Sequence, residues 1–180
     1  MTALILSTHH FEDSELLVPY YRLKEEGIPV VVGSDESGTI VGKRGYEVAV
    51  DQTLAEISPE DYSLLVLPGG KAPSALRKEP LALKITQAFM ASSRPVAAIC
   101  HGPQILISAG VLRGRHATCY RAVAEELKEA GARYEDKEVI VDGNLVTSRQ
   151  PADLPAFLRE LMRLVKAPGQ HSPDFPESRT

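Results

Sequence analysis

Four short apolar runs, separated for the most part by segments of helix length, limit the folds open to this chain. They are "ALILS" (Ala3–Ser7), Val30–Gly33, Leu64–Leu67 and Pro95–Ile99. Runs this short and this uniformly apolar read as strands buried on both faces, the habit of parallel sheets. Between the first two, Glu15–Glu26 carries Leu16, Leu17, Tyr20 and Leu23 on one helical face, with Gly27 as its stop. Asp13 or Ser14 is placed to cap this helix, and Pro19 inside it predicts a kink or a displaced start. Later helices are expected over Leu81–Ala91, Pro103–Ala109 and Ala122–Ala130. Asp153 is placed to cap a last one, where Leu154, Phe157, Leu158, Leu161 and Val165 recur at offsets of three and four. The predicted class is therefore α/β, a mostly parallel sheet covered on both faces.

Two segments break the alternation. "DESGTIVGKRGYEVAVDQ" alternates apolar with polar, as a hairpin or edge meander would. "KEVIVDGNLVTSR" predicts an added β-hairpin turning at Asp142-Gly143 or Gly143-Asn144. With 180 residues, 43% of them hydrophobic, one domain with a sizeable core is expected over residues 1–166. Residues 167–180, proline-bearing and poor in apolar side chains, are expected to be a disordered tail without a site.

A formal net charge of -4 implies no basic face, so nucleic acid is not an expected partner. The N-terminal residues lack the basic region of a signal peptide, and no run approaches the ~20 apolar residues of a membrane span. The two cysteines are far apart and neither forms a CxxC pair. A cytoplasmic protein with reduced thiols is expected.

In open α/β sheets ligands bind beyond the carboxyl ends of the strands. Three segments deliver polar residues there: "THHFEDSE", "PGGKAPS" and "CHGP". Cys100 follows a buried strand and precedes a helix, as at a nucleophile elbow, although the spacing is A-x-C-x-G rather than G-x-S-x-G. A lone cysteine is more often a small buried hydrophobe. The order strand, Cys, His, Gly, Pro, helix argues instead for a reactive thiol. The helix start predicts a lowered pKa and a thiolate at neutral pH. His101 would add positive charge or act as base, its N–H would bind an oxyanion, and Gly70 would supply a second donor. Cys119, in "RHATCY", is expected in a strand as a packing residue.

Glu12 and Glu15, three apart, share a face if both are helical. A bare carboxylate would repel a thiolate, so the useful form is a protonated carboxyl donating to sulfur or shuttling a proton. His9 and His10 lack partners at metal-ligand spacing, and no metal or other cofactor is expected. Tyr120, Ser74, Gly69, Arg149 and Asp153 are candidate pocket residues.

"FEDSELLVP", "LVLPGGKAP", "AAICHGPQILISAGVLRGR" and "VDGNLVTSRQPADLPAF" together closely resemble the PfpI-type intracellular peptidase family of the broader DJ-one superfamily. The likeness runs from about Ala3 to Val165. It implies a flavodoxin-like three-layer sandwich and a homodimer or homohexamer. It implies Cys100 as nucleophile, His101 as its imidazole and Glu15 as the acid bonded to the thiol. Glu12 falls in the pocket, Gly70 and His101 fall at the oxyanion donors, and Tyr120 stands where many relatives place a histidine. One position departs from the pattern. The peptidase triad takes a glutamate from a neighbouring subunit just after GG-x-A-P, and Ser74 stands there. A serine cannot supply the negative charge that stabilises imidazolium. The resemblance therefore favours glyoxalase-like or deglycase-type chemistry on α-oxoaldehydes or early glycation adducts of proteins, in a stress-response role. An intracellular cysteine peptidase and a redox-sensing stress protein are the alternatives.

Overall fold

In the computed structural model, which describes residues 1–166, every side chain of the first strand is buried, because helices cover both faces of the sheet it belongs to. The elements run β1 (Ala3–Leu6), α1 (Asp13–Glu25), β2 (Val30–Ser34), β3 (Thr39–Val41), β4 (Glu47–Ala49) and β5 (Gln52–Thr53). They continue with β6 (Leu64–Leu67), α2 (Ala72–Leu76), α3 (Pro80–Ala91), β7 (Val96–Ile99) and α4 (Pro103–Ser108). β8 (His116–Ala117), α5 (Ala124–Glu129), β9 (Arg133–Tyr134), β10 (Val139–Asp142), β11 (Leu145–Ser148) and α6 (Leu154–Val165) complete the order. The disorder expected of the tail falls outside the described residues.

Seven strands form one sheet in the order β10-β11-β7-β6-β1-β2-β5. All pairs are parallel except the β10-β11 hairpin, whose turn is Gly143-Asn144. Side chains alternate between two cores, as period-two geometry requires. Leu4, Leu6, Leu65 and Leu67 pack with α2, α3, α4 and α5, whereas Ala3, Ile5, Leu64 and Val66 pack with α1 and α6. The result is a flavodoxin-like three-layer α/β sandwich. β3 and β4 form the hairpin expected from "DESGTIVGKRGYEVAVDQ", outside the main sheet.

Local expectations are corrected at four points. Neither Asp13 nor Ser14 caps α1; Glu12 is the N-cap, and no side chain bonds the exposed N–H groups. α1 is continuous through the buried Pro19. Asp153 does occupy the N-cap of α6, but its carboxylate is taken by Arg149. Cys119 lies just past β8 rather than in a strand, fully buried.

The chain steps from β1 to β2 on one side and later to β6 on the other. The loops after β1 and β6 therefore diverge at a topological switch point, and the loop after β7 lies beside them.

Candidate active site

The turn after β7 is held by main chain on every side. The Cys100 N–H donates to the Ser148 carbonyl at 3.0 Å, and the Tyr120 N–H donates to the Cys100 carbonyl at 2.9 Å. Gly102 N–H closes the turn onto Ile99 O at 2.8 Å. A side chain at Gly102 would collide with the carbonyl of Leu67 at the end of β6. Cys100 itself sits at φ 62°, a left-handed conformation costly for any residue with a Cβ. This is the sharp elbow expected of "AAICHGP".

The other two loops are stitched together in the same way. Phe11 and Gly70 form an isolated antiparallel bridge, Glu12 N–H donates to Gly69 O at 3.2 Å, and Lys71 N–H donates to His10 O at 2.8 Å. Gly70 adopts φ 79°, and a Cβ there would overlap the backbone of His10 to Glu12. Gly69 lies between the Glu15 carboxylate and Cys100, with no room for a side chain.

Glu15 is fully buried in the first turn of α1, and its Oε2 accepts the Gly69 N–H at 2.8 Å. Burial raises its carboxyl to a pKa of about 7, with the Glu12 charge adding and the Gly69 N–H opposing. Cys100 is 8% exposed. Its thiol is pushed up to about 12, first by desolvation and then by the Glu15 charge. The N–H groups of Gly70 and His101 face the sulfur and pull the other way without prevailing. This corrects the expected thiolate. The six-residue helix α4 and two N–H groups do not outweigh the desolvation of the buried thiol, to which the Glu15 carboxylate adds.

His101 is half-buried, and its Nδ1 lies 3.1 Å from Cys100 Sγ. Desolvation, and secondarily the charge of Lys43, lowers its pKa, so the ring is neutral at pH 7. Of the two roles considered for it, the lowered pKa favours a base over a standing positive charge. Its ring lies 5.0 Å from that of Tyr120.

Glu12 and Glu15 do not act on one face. The buried Glu12 carboxylate turns to Lys43 Nζ at 2.5 Å and Arg44 Nε at 3.6 Å. Both cations come from the turn between β3 and β4, which Asp13 holds by accepting the N–H groups of Arg44 (3.0 Å) and Tyr46 (3.1 Å). Gly42 fits against the Asp13 carboxylate, where a side chain would collide.

These loops enclose a cavity of about 780 Å³ with Cys100 in its wall. The expected residues Glu12, Gly70, Ser74, His101 and Tyr120 line it. Gly69 and Glu15 stand behind that wall. The Ser74 hydroxyl donates to Lys71 O at 2.7 Å, within its own turn. Arg149 and Asp153 are not brought to the cavity: Arg149 forks onto Asp153 at 2.9 and 3.0 Å and reaches Asp136 at 2.8 Å. His9 accepts the Val41 N–H at 3.1 Å and pairs with Glu36, which ties the hairpin to the first loop.

The DJ-1/PfpI family model matches residues 1–164. The chain belongs to the DJ-1/PfpI family. Among relatives, "Deglycase PH1704" of Pyrococcus horikoshii is 52% identical over 92% of this chain and 100% of its own. "Protein/nucleic acid deglycase 2" of Escherichia coli is 44% identical over 91% of this chain and 96% of its own. Among solved structures, a two-domain protein of Anabaena variabilis with DJ-1/ThiJ/PfpI-like and ferritin-like domains matches with a TM-score of 0.91 at 35% identity. That match covers 99% of this chain and 54% of the larger one. Among the described residues no helix is long and apolar enough to cross a membrane.

Within this DJ-1/PfpI fold, sequence reading missed Lys43, Lys71, Gln104 and Pro151 in the cavity lining, and it treated His10 only as a non-ligand. The signal for Lys43 was the glycine-flanked pair in "GKRG", a turn that offers its basic side chains outward. Its target could not be read from the chain, because Glu12 lies in a different loop.

Proposed function

We propose that this DJ-1/PfpI protein is a cysteine-dependent deglycase that removes α-oxoaldehyde adducts from amines. The observation carrying this reading is the thiol at a left-handed elbow, 3.1 Å from a neutral imidazole and backed by a carboxyl of pKa about 7. Amine loss from the adduct R–NH–CH(OH)–CO–CH3 leaves the bound aldehyde. His101 Nδ1 takes the thiol proton as Cys100 sulfur adds to the aldehyde carbon, and the hemithioacetal oxygen is held by the Gly70 and His101 N–H groups. A protonated Glu15 removes the like charge beside the sulfur. The imidazolium returns that proton to the hemithioacetal oxygen; the neutral imidazole then carries the C1 proton to C2 while the O1 proton passes to O2, which converts the hemithioacetal to a thioester with no external oxidant or reductant. Water hydrolyses it to lactate, so adduct plus water gives amine plus lactate. Free methylglyoxal enters at the hemithioacetal step, and a glyoxalase activity is expected from the same groups.

The test is lactate release from methylglyoxal-treated N-acetylarginine. The Cys100→Ala variant is expected at background; turnover equal to the parent would defeat the reading. The name of the E. coli relative extends the substrate class to nucleic acid. A net charge of -4 argues against an extended nucleic-acid face, not against one modified nucleotide entering the cavity. The peptidase alternative is weaker, since Ser74 spends its hydroxyl on Lys71 O and brings no charge to His101. The redox-sensor alternative is tested by intact mass after mild peroxide, where the absence of any adduct on Cys100 would count against it. A homo-oligomer is part of the proposal, supported by Val18, Tyr21 and Tyr46, which are large apolar side chains exposed on α1 and the β3-β4 turn.

A further inference from the structure

We infer that the cavity selects substrates bearing an anionic group, carboxylate or phosphate, close to the reacting carbonyl, and that Lys71 is the residue that recognises it. The inference rests on Cys100 being the reacting group, as proposed above.

The charged side chains lining the cavity are Glu12, Lys43 and Lys71. Glu12 and Lys43 neutralise one another at 2.5 Å, and Arg44, 3.6 Å from Glu12, adds to the positive side. Lys71 has no carboxylate within ion-pair distance among the described residues, although its four-carbon stem is exposed and free to seek one. His10 and His101 add no negative charge. The cavity is thus net positive in a chain of net charge -4, and a concave wall focuses that field.

Position supports the same reading. Lys71 directly follows Gly70, whose N–H faces the sulfur, and its own N–H is anchored to His10 O at 2.8 Å. The backbone is therefore held where the oxyanion forms, and the side chain one residue on is exposed at the cavity. A neutral aldehyde makes no use of that cation. A substrate with a carboxylate or phosphate a few bonds from its carbonyl does, and it is held with the carbonyl toward Cys100.

The experiment compares alkylation of Cys100 by anionic iodoacetate and neutral iodoacetamide, read by intact mass in a Cys119→Ala background. The ratio of the two rates is referred to the same ratio for 2-mercaptoethanol. The expected preference for iodoacetate is about fivefold, the Boltzmann factor for unit charges about 4 Å apart in water. It should fall in Lys71→Gln, persist in Lys71→Arg and shrink with added salt. Propionate and inorganic phosphate, used as competitors, identify the anion: whichever protects Cys100 at the lower concentration is the better model. A ratio equal to that of 2-mercaptoethanol, an unchanged ratio in Lys71→Gln, or protection by neither anion overturns the inference. Failure of both reagents to label Cys100 is a different result and would sink the reactive-thiol reading itself.

Discussion

Cys100 combines a strained backbone with a buried thiol, and the two costs can be separated by substitution. At φ 62° a glycine is free of the Cβ penalty that alanine keeps. Cys100→Gly is therefore expected to be more stable than Cys100→Ala by about 1 kcal/mol in urea unfolding, with both inactive. Glu15 carries a cost of another kind. Its folded pKa of about 7 lies above the ordinary 4.5, so the native state binds a proton more tightly than the unfolded chain. Stability is then lost as pH rises from about 4.5 through 7, and the ionised group costs on the order of 3 kcal/mol above that window. Glu15→Gln is expected to unfold at higher urea than the parent at pH 8, with the difference vanishing near pH 4.5; equal midpoints at pH 8 would contradict the assignment. The elbow cysteine, its histidine and the close-packed Gly70 were legible in the sequence because each is a local backbone requirement. The direction of the thiol pKa was not, because it depends first on how deeply the sulfur itself is buried and then on a carboxylate brought to it from α1.

The β3-β4 hairpin shows what an element outside the sheet contributes. Its turn brings Lys43 to Glu12, and Asp13 holds that turn through two backbone N–H groups. Asp13→Asn replaces one accepting oxygen by a donor facing N–H. Amide exchange at Arg44 and Tyr46 is expected to quicken about tenfold or more, given about 1.5–3 kcal/mol for a hydrogen bond to a charged group. Unchanged protection there would show that the turn is held by other contacts. The buried strands were legible as unbroken apolar runs, as in Leu64–Leu67, and the long helices from periodicity, as in α6. The two-residue strands β5 and β9 and the five-residue α2 were not, and β8 was legible only as a strand within "RHATCY". Elements that short have no period to read; β5, for example, exists because Gly33 and Ser34 offer it an edge.

At the scale of the molecule, the two cores divide the helices between the sheet faces, and the site opens where the strand order reverses. That layout was readable from the alternation of strands and helices. What lies on the outside of α1 was not, since Val18, Tyr21 and Tyr46 stay exposed even though Tyr21 meets the Tyr20 ring edge-on, and exposure leaves no period to read. If they bury a second copy, light scattering should report more than one chain per particle, and Tyr21→Glu with Tyr46→Glu should lower the mass. A monomeric parent protein would remove the oligomer from the proposal. The donors at the sulfur and the loops that carry them are secured almost wholly by peptide groups: Cys100 to Ser148 and Tyr120, Gly69 to Glu12, His10 to Lys71, Phe11 to Gly70. Rim side chains such as Lys71, Ser74 and Tyr120 can therefore be exchanged over generations without loosening the reacting centre, so descendants of one ancestor are free to adopt new diets while inheriting the same bite.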